Sequence, residues 1–146
     1  MNKELPDELH ERIKRLCAAG DELARAARFY DAVPIYEQAL AVLPEPREDW
    51  SAATWIYTAI GDAYFLAGDF ASAWVPFRAV MHCPDALGNP FIRLRRGQIY
   101  YELGDEHMAT QELASAYMLG DTEIFAEEDP KYAEFILPKL EPPAKA

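Results

Sequence analysis

Small residues recur along the chain at positions that suit closely packed helices. Gly20, Gly61 and Gly97 are separated by 41 and 36 residues, and each is followed by an alanine twelve residues later. These alanines are Ala32, Ala73 and Ala109. Two antiparallel helices that carry glycine on one and alanine on the other can approach closely, because neither residue has a bulky side chain. A repeat of this length therefore predicts stacked helical hairpins.

The residues around each glycine also keep their spacing. Around Gly61 the pattern consists of Tyr57, Ile60, Tyr64, Gly68, Asp69, Phe70, Ala73, Phe77 and Pro84. Around Gly20 it consists of Leu16, Ala19, Leu23, Phe29, Ala32, Tyr36, Ala39 and Pro44. Around Gly97 it consists of Tyr100, Gly104, Asp105, Ala109, Leu113 and Ala116. The spacing resembles that of the tetratricopeptide repeat (TPR), a helix-turn-helix unit of about 34 residues.

The resemblance implies an all-α fold in which three TPR helix-turn-helix repeats stack as a short right-handed α-solenoid with a C-terminal capping helix. We predict a single TPR domain over residues 1–140, with repeats at about 13–44, 54–85 and 90–121 and the cap at 122–140. The predicted repeat helices cover about 7–27, 30–42, 50–67, 70–83, 90–103 and 106–119. The proline-rich tail, 141–146, can bury little surface and is predicted to be disordered.

Two prolines fall inside the predicted second helices of the first two repeats. Because proline has no backbone N–H, Pro34 and Pro76 remove the helical donors of the carbonyl groups four residues earlier, at Tyr30 and Ser72. Pro34 lies near the start of its helix, where the effect is mild. We expect Pro76 to bend its helix.

The acidic composition limits the classes of partner. Twenty-five acidic and 14 basic side chains give a formal net charge of −11, and 51% of the residues are hydrophobic. Such a chain can bury a core, and its charge repels nucleic acid and anionic membranes while favouring a basic protein surface. We see no apolar run long enough to span a membrane and no signal peptide, so we expect a cytoplasmic protein. Cys17 and Cys83 are isolated and are expected to be buried thiols.

The sequence contains no recognisable catalytic constellation. His10, His82 and His107 have no partners at metal-ligand spacing on a shared helix face, and no nucleophile elbow, P-loop or dinucleotide-binding glycine motif is present. We therefore predict that the chain is not an enzyme and uses no cofactor and no metal.

The TPR resemblance implies a concave groove lined by the first helix of each repeat. The candidate partner-binding residues at these positions are Asp21, Arg25, Trp55, Thr58, Asp62, Phe65, Phe91, Arg95, Gln98, Tyr101 and Glu102. The alternative is that the four aromatic residues in this set pack against neighbouring helices or under the C-terminal segment.

One TPR subclass binds a terminal carboxylate with basic and amide residues. Here the corresponding positions hold Cys17, Asp21, Ala59, Phe91 and Arg95, and only Arg95 matches, which disfavours that use.

Three arginines form a basic cluster in the third repeat. Arg93 and Arg96 occupy positions where the family usually has large apolar residues, and Arg95 lies between them. We predict that these cations pair internally with the acidic segment from Asp121 to Glu134; the alternative is that all three are solvated.

Three functions remain open for a small, acidic, three-repeat chain. With its stretches Leu87–Phe91 and Asp129–Tyr132, it is similar to small bacterial TPR proteins, some of which act as immunity partners of toxins. The leading hypothesis is thus a non-enzymatic protein-binding module of the immunity type, which occludes a basic partner such as a toxin. The alternative is a general adaptor or chaperone that holds an extended peptide in the groove, and a third hypothesis is a hydrolase or transferase accessory with an unrecognised active site. A monomer or weak dimer is expected.

Overall fold

A computed structural model of the protein describes residues 4–140, and this part of the chain is built from helices joined by short turns. The α-helices are α1 (Asp7–Arg25), α2 (Phe29–Val42), α3 (Ser51–Leu66), α4 (Phe70–Ala79), α5 (Pro90–Glu102), α6 (Glu106–Gly120) and α7 (Pro130–Leu140). Short 3-10 helices cover Arg47–Asp49, Val80–His82 and Thr122–Phe125. The all-α prediction is confirmed, although the predicted last turn of helix 70–83 is a 3-10 turn. The predicted tail at 141–146 lies outside the described residues.

The chain divides into two compact units, the first ending at Ala86 and the second beginning at Leu87. Unit 1 contains two helical hairpins, α1 with α2 and α3 with α4, which correspond to the first two predicted repeats. Unit 2 contains the third hairpin, α5 with α6, followed by the predicted capping segment and α7. Within that segment, Phe125, Tyr132 and Ile136 are buried.

In each hairpin, a glycine of the first helix packs against a large side chain of the second helix. A Cβ atom placed on Gly20 would lie 2.6 Å from the ring of Tyr36, and one on Gly97 would lie 2.5 Å from Leu113. A Cβ atom on Gly61 would overlap the ring of Phe77. The predicted close approach is therefore present, and the atoms nearest to each added Cβ belong mainly to these large residues, one turn after the alanines. The bulky side chain fills the volume left by the missing Cβ.

The tight turns inside the second and third hairpins follow from a glycine-aspartate pair in each. Gly68 and Gly104 have φ values of 80° and 89°, a conformation that side chains with a Cβ rarely adopt. The next residue begins the following helix: Asp69 accepts a hydrogen bond from the backbone N–H of Ser72, and Asp105 accepts one from Met108. These helix stops and starts agree with the sequence prediction.

Candidate partner-binding groove

Four predicted site residues lie along one stripe of α3 in unit 1. Trp55, Thr58, Asp62 and Phe65 are spaced by three or four residues, which places them on one face of a helix. Trp55 is 43% exposed, whereas the other three are half-buried. The hydroxyl of Thr58 donates to the carbonyl of Thr54 at 2.7 Å, and the ring of Phe65 packs edge to face against Phe70 at 5.4 Å. The stripe thus presents a large apolar side chain at one end and a carboxylate near its middle.

A pocket of about 250 Å³ lies between this stripe and α1. Its lining combines two carboxylates, one cation and several small or apolar residues. The residues are Asp21, Ala24, Arg25, Tyr36, Ala59, Asp62, Ala63 and Leu66. The structure therefore brings Asp21 and Arg25 of α1 next to Asp62 of α3, as a shared groove requires. Two acids against one base give the pocket a negative balance, which suits a cationic group of a partner.

Tyr36 of α2 holds the carboxylate of Asp21 in the pocket in position. Its hydroxyl donates a hydrogen bond of 2.6 Å to Asp21, and Tyr36 is 2% exposed. Burial raises the pKa of Tyr36 above its ordinary value, and the hydrogen bond to Asp21 raises this pKa further. The sequence pattern identifies Tyr36 only as a residue packed inside the repeat, because its contact with Asp21 depends on the crossing of α1 and α2.

We expect the raised pKa of Tyr36 to make the stability of the protein fall in alkali. Below a pH of about 10 the phenol is protonated in both the folded and the unfolded chain and contributes no pH dependence. Above this pH only the unfolded chain loses the proton readily, so the free energy of unfolding declines as the pH rises. Urea unfolding of Tyr36→Phe should show a shallower decline than wild type between about pH 9 and 11. Tyr117→Phe is the control for loss of a hydroxyl, and identical slopes in wild type and Tyr36→Phe would contradict the assignment.

A second pocket, of about 340 Å³, extends the stripe beyond Trp55. Its lining contains two indole rings, a histidine, one acid at the start of α1 and another that precedes this helix. The residues are Glu4, Leu5, Asp7, His10, Trp50, Ser51, Ala52 and Trp55. The indole N–H of Trp50 donates to the carbonyl of Pro44 at 2.8 Å, so this ring is fixed at the base of the pocket. We call the two pockets and the α3 stripe between them the unit 1 groove.

In unit 2, Phe91, Arg95 and Gln98 are brought together on α5, where Phe91 is half-buried and the other two are buried. Arg95 is 5% exposed and Gln98 is fully buried, and the guanidinium group of Arg95 lies 4.7 Å from the centre of the Phe91 ring. Arg95 donates to Gln98 at 2.8 Å, and both side chains donate to Glu128, Gln98 at a distance of 2.7 Å. These groups bind the chain's own C-terminal segment and offer little surface to a partner.

Tyr101 and Glu102 are occupied by α7 in the same way. The ring of Tyr101 packs edge to face on Tyr132 and Phe135, at 5.5 and 5.1 Å between centres. Glu102 accepts a hydrogen bond of 2.8 Å from Tyr132 and pairs with Lys131 at 2.5 Å. For Tyr101, the alternative in which aromatic residues pack under the C-terminal segment therefore describes the structure. The exposed residues of the predicted site, Asp21, Arg25 and Trp55, lie in unit 1, whereas Phe91, Tyr101 and Glu102 are half-buried.

The arginine cluster is paired, though with a different acid for two of its members. Arg95 pairs with Glu128, which lies in the predicted acidic segment. Arg93 and Arg96 instead donate to Glu112 of α6, at 2.9 and 3.2 Å. Glu112 was missed because the prediction considered only the acid-rich segment after the repeats. A signal was present, since Glu112 falls in the buried stripe of α6 at helical spacing from Ala109 and Ala116, where an acid requires a buried partner.

No group of three or more His, Cys, Asp or Glu side chains within residues 4–140 is arranged to hold a metal ion. Over the same residues, no helix is long and apolar enough to cross a membrane. Cys17 and Cys83 are free thiols. Burial raises the pKa of each to about 11, so neither is a ready nucleophile at neutral pH.

Comparisons with known proteins identify the fold. No protein-family model matches the sequence, and no curated protein matches it at a significant level. Among solved structures, the chain is similar to PcrH in complex with the chaperone binding region of PopB. The TM-score is 0.67 with 14% sequence identity, and the match covers 92% of this chain and 99% of that chain. At this identity the likeness shows the fold alone, which is the predicted TPR-like, all-α helical repeat fold.

Proposed function

We propose that this chain is a non-enzymatic protein-binding module of the chaperone or adaptor type, which holds an extended segment of a partner protein in the unit 1 groove. The observation that carries the proposal is the fold likeness to PcrH, which was solved with the chaperone binding region of PopB, over nearly the whole of both chains. The shared fold supports a protein partner in general. The identity of that partner depends on the side chains of this chain's own groove.

The groove favours a segment that alternates apolar and basic side chains. Trp55 supplies an exposed aromatic surface between two pockets of about 340 and 250 Å³. Asp21 and Asp62 supply carboxylates in the second pocket. An extended chain projects successive side chains to opposite sides, so alternate residues of the partner can enter the pockets while its backbone lies along α3.

The immunity-type hypothesis is a second candidate, favoured by the net charge of −11. An acidic inhibitor associates rapidly with a basic toxin, and the association weakens strongly as salt rises. The fold likeness supports the chaperone or adaptor function better, because the neighbouring structure holds a region of a partner named for chaperone binding. Binding in the cytoplasm of a bacterium is part of both proposals.

Binding of defined peptides tests the proposal directly. The probes are labelled synthetic peptides of about ten residues, long enough to span roughly 30 Å, in which leucine or phenylalanine alternates with lysine, glutamate or serine. We expect the lysine series to bind best. Trp55→Ala should weaken this binding about tenfold because it removes an exposed aromatic anchor, and Asp62→Lys should reverse the preference for lysine over glutamate.

The matched controls lie in unit 2 and away from the groove. Met118→Ala removes a side chain that is 83% exposed, and Glu134→Lys makes the same charge change as Asp62→Lys at an exposed position of α7. Both controls should bind the peptides as wild type does. Unchanged binding by both Trp55→Ala and Asp62→Lys would refute the groove. Failure of every peptide, together with nanomolar and salt-sensitive binding to one folded basic protein, would favour the immunity-type function instead.

A further inference from the structure

Unit 1 contains another pocket, on a different face of α3 from the groove. This pocket has a volume of about 330 Å³ and is formed by α2, α3 and α4. Its lining residues are Val33, Glu37, Leu40, Tyr57, Ile60, Tyr64, Ser72, Val75, Pro76 and Ala79. None of them lines the groove, so the function proposed above does not account for this pocket.

The walls of the pocket are mainly apolar, from its base to its rim. Val33, Leu40 and Ile60 form a buried base, each at most 9% exposed. At the rim, Val75 is 67% exposed. Tyr64 is held in place by the ring of Tyr30, whose centre lies 6.0 Å away in an edge-to-face contact. A volume of this size accommodates one large aliphatic side chain together with part of its neighbour.

The charge of the pocket comes from Glu37, the sole ionisable acid or base among the ten lining residues apart from the two tyrosines. Burial raises the pKa of Tyr64, and the negative charges of Glu37 and Asp69 raise it further. A second acceptor comes from the proline in α4. Pro76 has no N–H, so the backbone carbonyl of Ser72 lacks its helical donor, and both residues line the pocket. Glu37 and the Ser72 carbonyl both favour a ligand that donates hydrogen bonds.

We propose that this pocket is a second docking site, which receives a large aliphatic side chain of a partner protein and an adjacent lysine or arginine. The aliphatic side chain contacts Val33, Leu40 and Ile60, and the cation pairs with Glu37. Charge complementarity selects this occupant. An acidic residue of the partner would be repelled by Glu37, and no basic residue lines the pocket to offset that repulsion. With docking sites on two faces of α3, unit 1 can hold two segments at once.

The test uses three small probes of the same shape, each titrated into isotopically labelled protein and followed by amide NMR shifts. The probes are the acetylated dipeptide amides leucyl-arginine, leucyl-citrulline and leucyl-glutamate. We expect leucyl-arginine to shift the amides of Glu37, Ile60 and Val75 in a saturable way. Citrulline has the shape of arginine without its charge, and it should bind about two- to fivefold more weakly because the pair with Glu37 is solvent-exposed.

Two variants and their controls locate the binding. Glu37→Gln should remove the preference for arginine over citrulline, while Glu134→Gln should leave it intact. Val75→Lys places a cation on the rim and should abolish binding of leucyl-arginine, while Met118→Lys, at a position that is 83% exposed, should not. Amide spectra of all four variants report directly on whether each one is folded.

Four results would overturn the proposal. The first is the absence of saturable shifts at the pocket, and the second is equal affinity of wild type for arginine and citrulline probes. The third is a wild-type dimer in sedimentation that Val75→Lys dissociates, since the occupant would then be a second copy of this chain. If Trp55→Ala abolishes the shifts while Val75→Lys does not, the probe binds in the groove, which would also refute the second site without affecting the function proposed for the groove.

Discussion

Replacement of Glu112 by glutamine is expected to lower the free energy of unfolding by about 3–5 kcal/mol. The Glu112 side chain is 6% exposed and accepts hydrogen bonds from Arg93 at 2.9 Å and from Arg96 at 3.2 Å. The Arg93 and Arg96 side chains are 20% and 10% exposed, so water cannot fully replace the lost partner. The large effect comes from leaving two partly buried cations without their carboxylate, because an intact buried pair contributes little net stability by itself.

Urea unfolding at neutral pH measures this effect. The matched control is Glu134→Gln, which removes the same charge from an exposed position of α7 and should change the free energy of unfolding by less than about 0.5 kcal/mol. Arg96→Leu should cost less than Glu112→Gln, because Glu112 then keeps Arg93 as its partner. A loss below about 1 kcal/mol in Glu112→Gln, or a gain in Arg96→Leu, would count against a buried ion-pair cluster.

Phe77→Ala is expected to lower the free energy of unfolding by a similar amount, about 3–5 kcal/mol. Phe77 is fully buried, and its ring fills the space left by the missing side chain of Gly61. Removal of the ring leaves a cavity between α3 and α4 that neighbouring residues cannot fill without moving the helices. Val75→Ala, on the same helix but at a position that is 67% exposed, is the matched control and should be nearly neutral.

A double-mutant cycle tests whether Gly61 and Phe77 act as a pair. In wild type, Gly61→Ala should be destabilising because its Cβ overlaps the Phe77 ring. In Phe77→Ala the same substitution should cost less, since the methyl group enters the cavity. The two effects should therefore couple by about 1 kcal/mol or more. Additive effects of the two substitutions would mean that the glycine is not required by the ring.

The sequence predicted the part of the candidate site in unit 1 better than the part in unit 2. The TPR resemblance implied the stripe of Trp55, Thr58, Asp62 and Phe65, and the structure places Asp21 and Arg25 beside it. The resemblance also implied Arg95 and Gln98 on α5 as groove residues, but it carries no information about what covers that helix. Glu128, which bonds to both, lies 33 and 30 residues further along the chain, outside the repeat pattern.

The sequence by itself determined what is local and periodic. Helix positions and the turns at Gly68 and Gly104 follow from backbone conformation, which neighbouring residues fix. The tertiary structure alone decided which acid pairs with each arginine and which part of the groove stays open. Ion pairs and coverage depend on distances between segments far apart in the chain. A difference of a few ångströms there separates the Arg96–Glu112 pair from a solvated arginine.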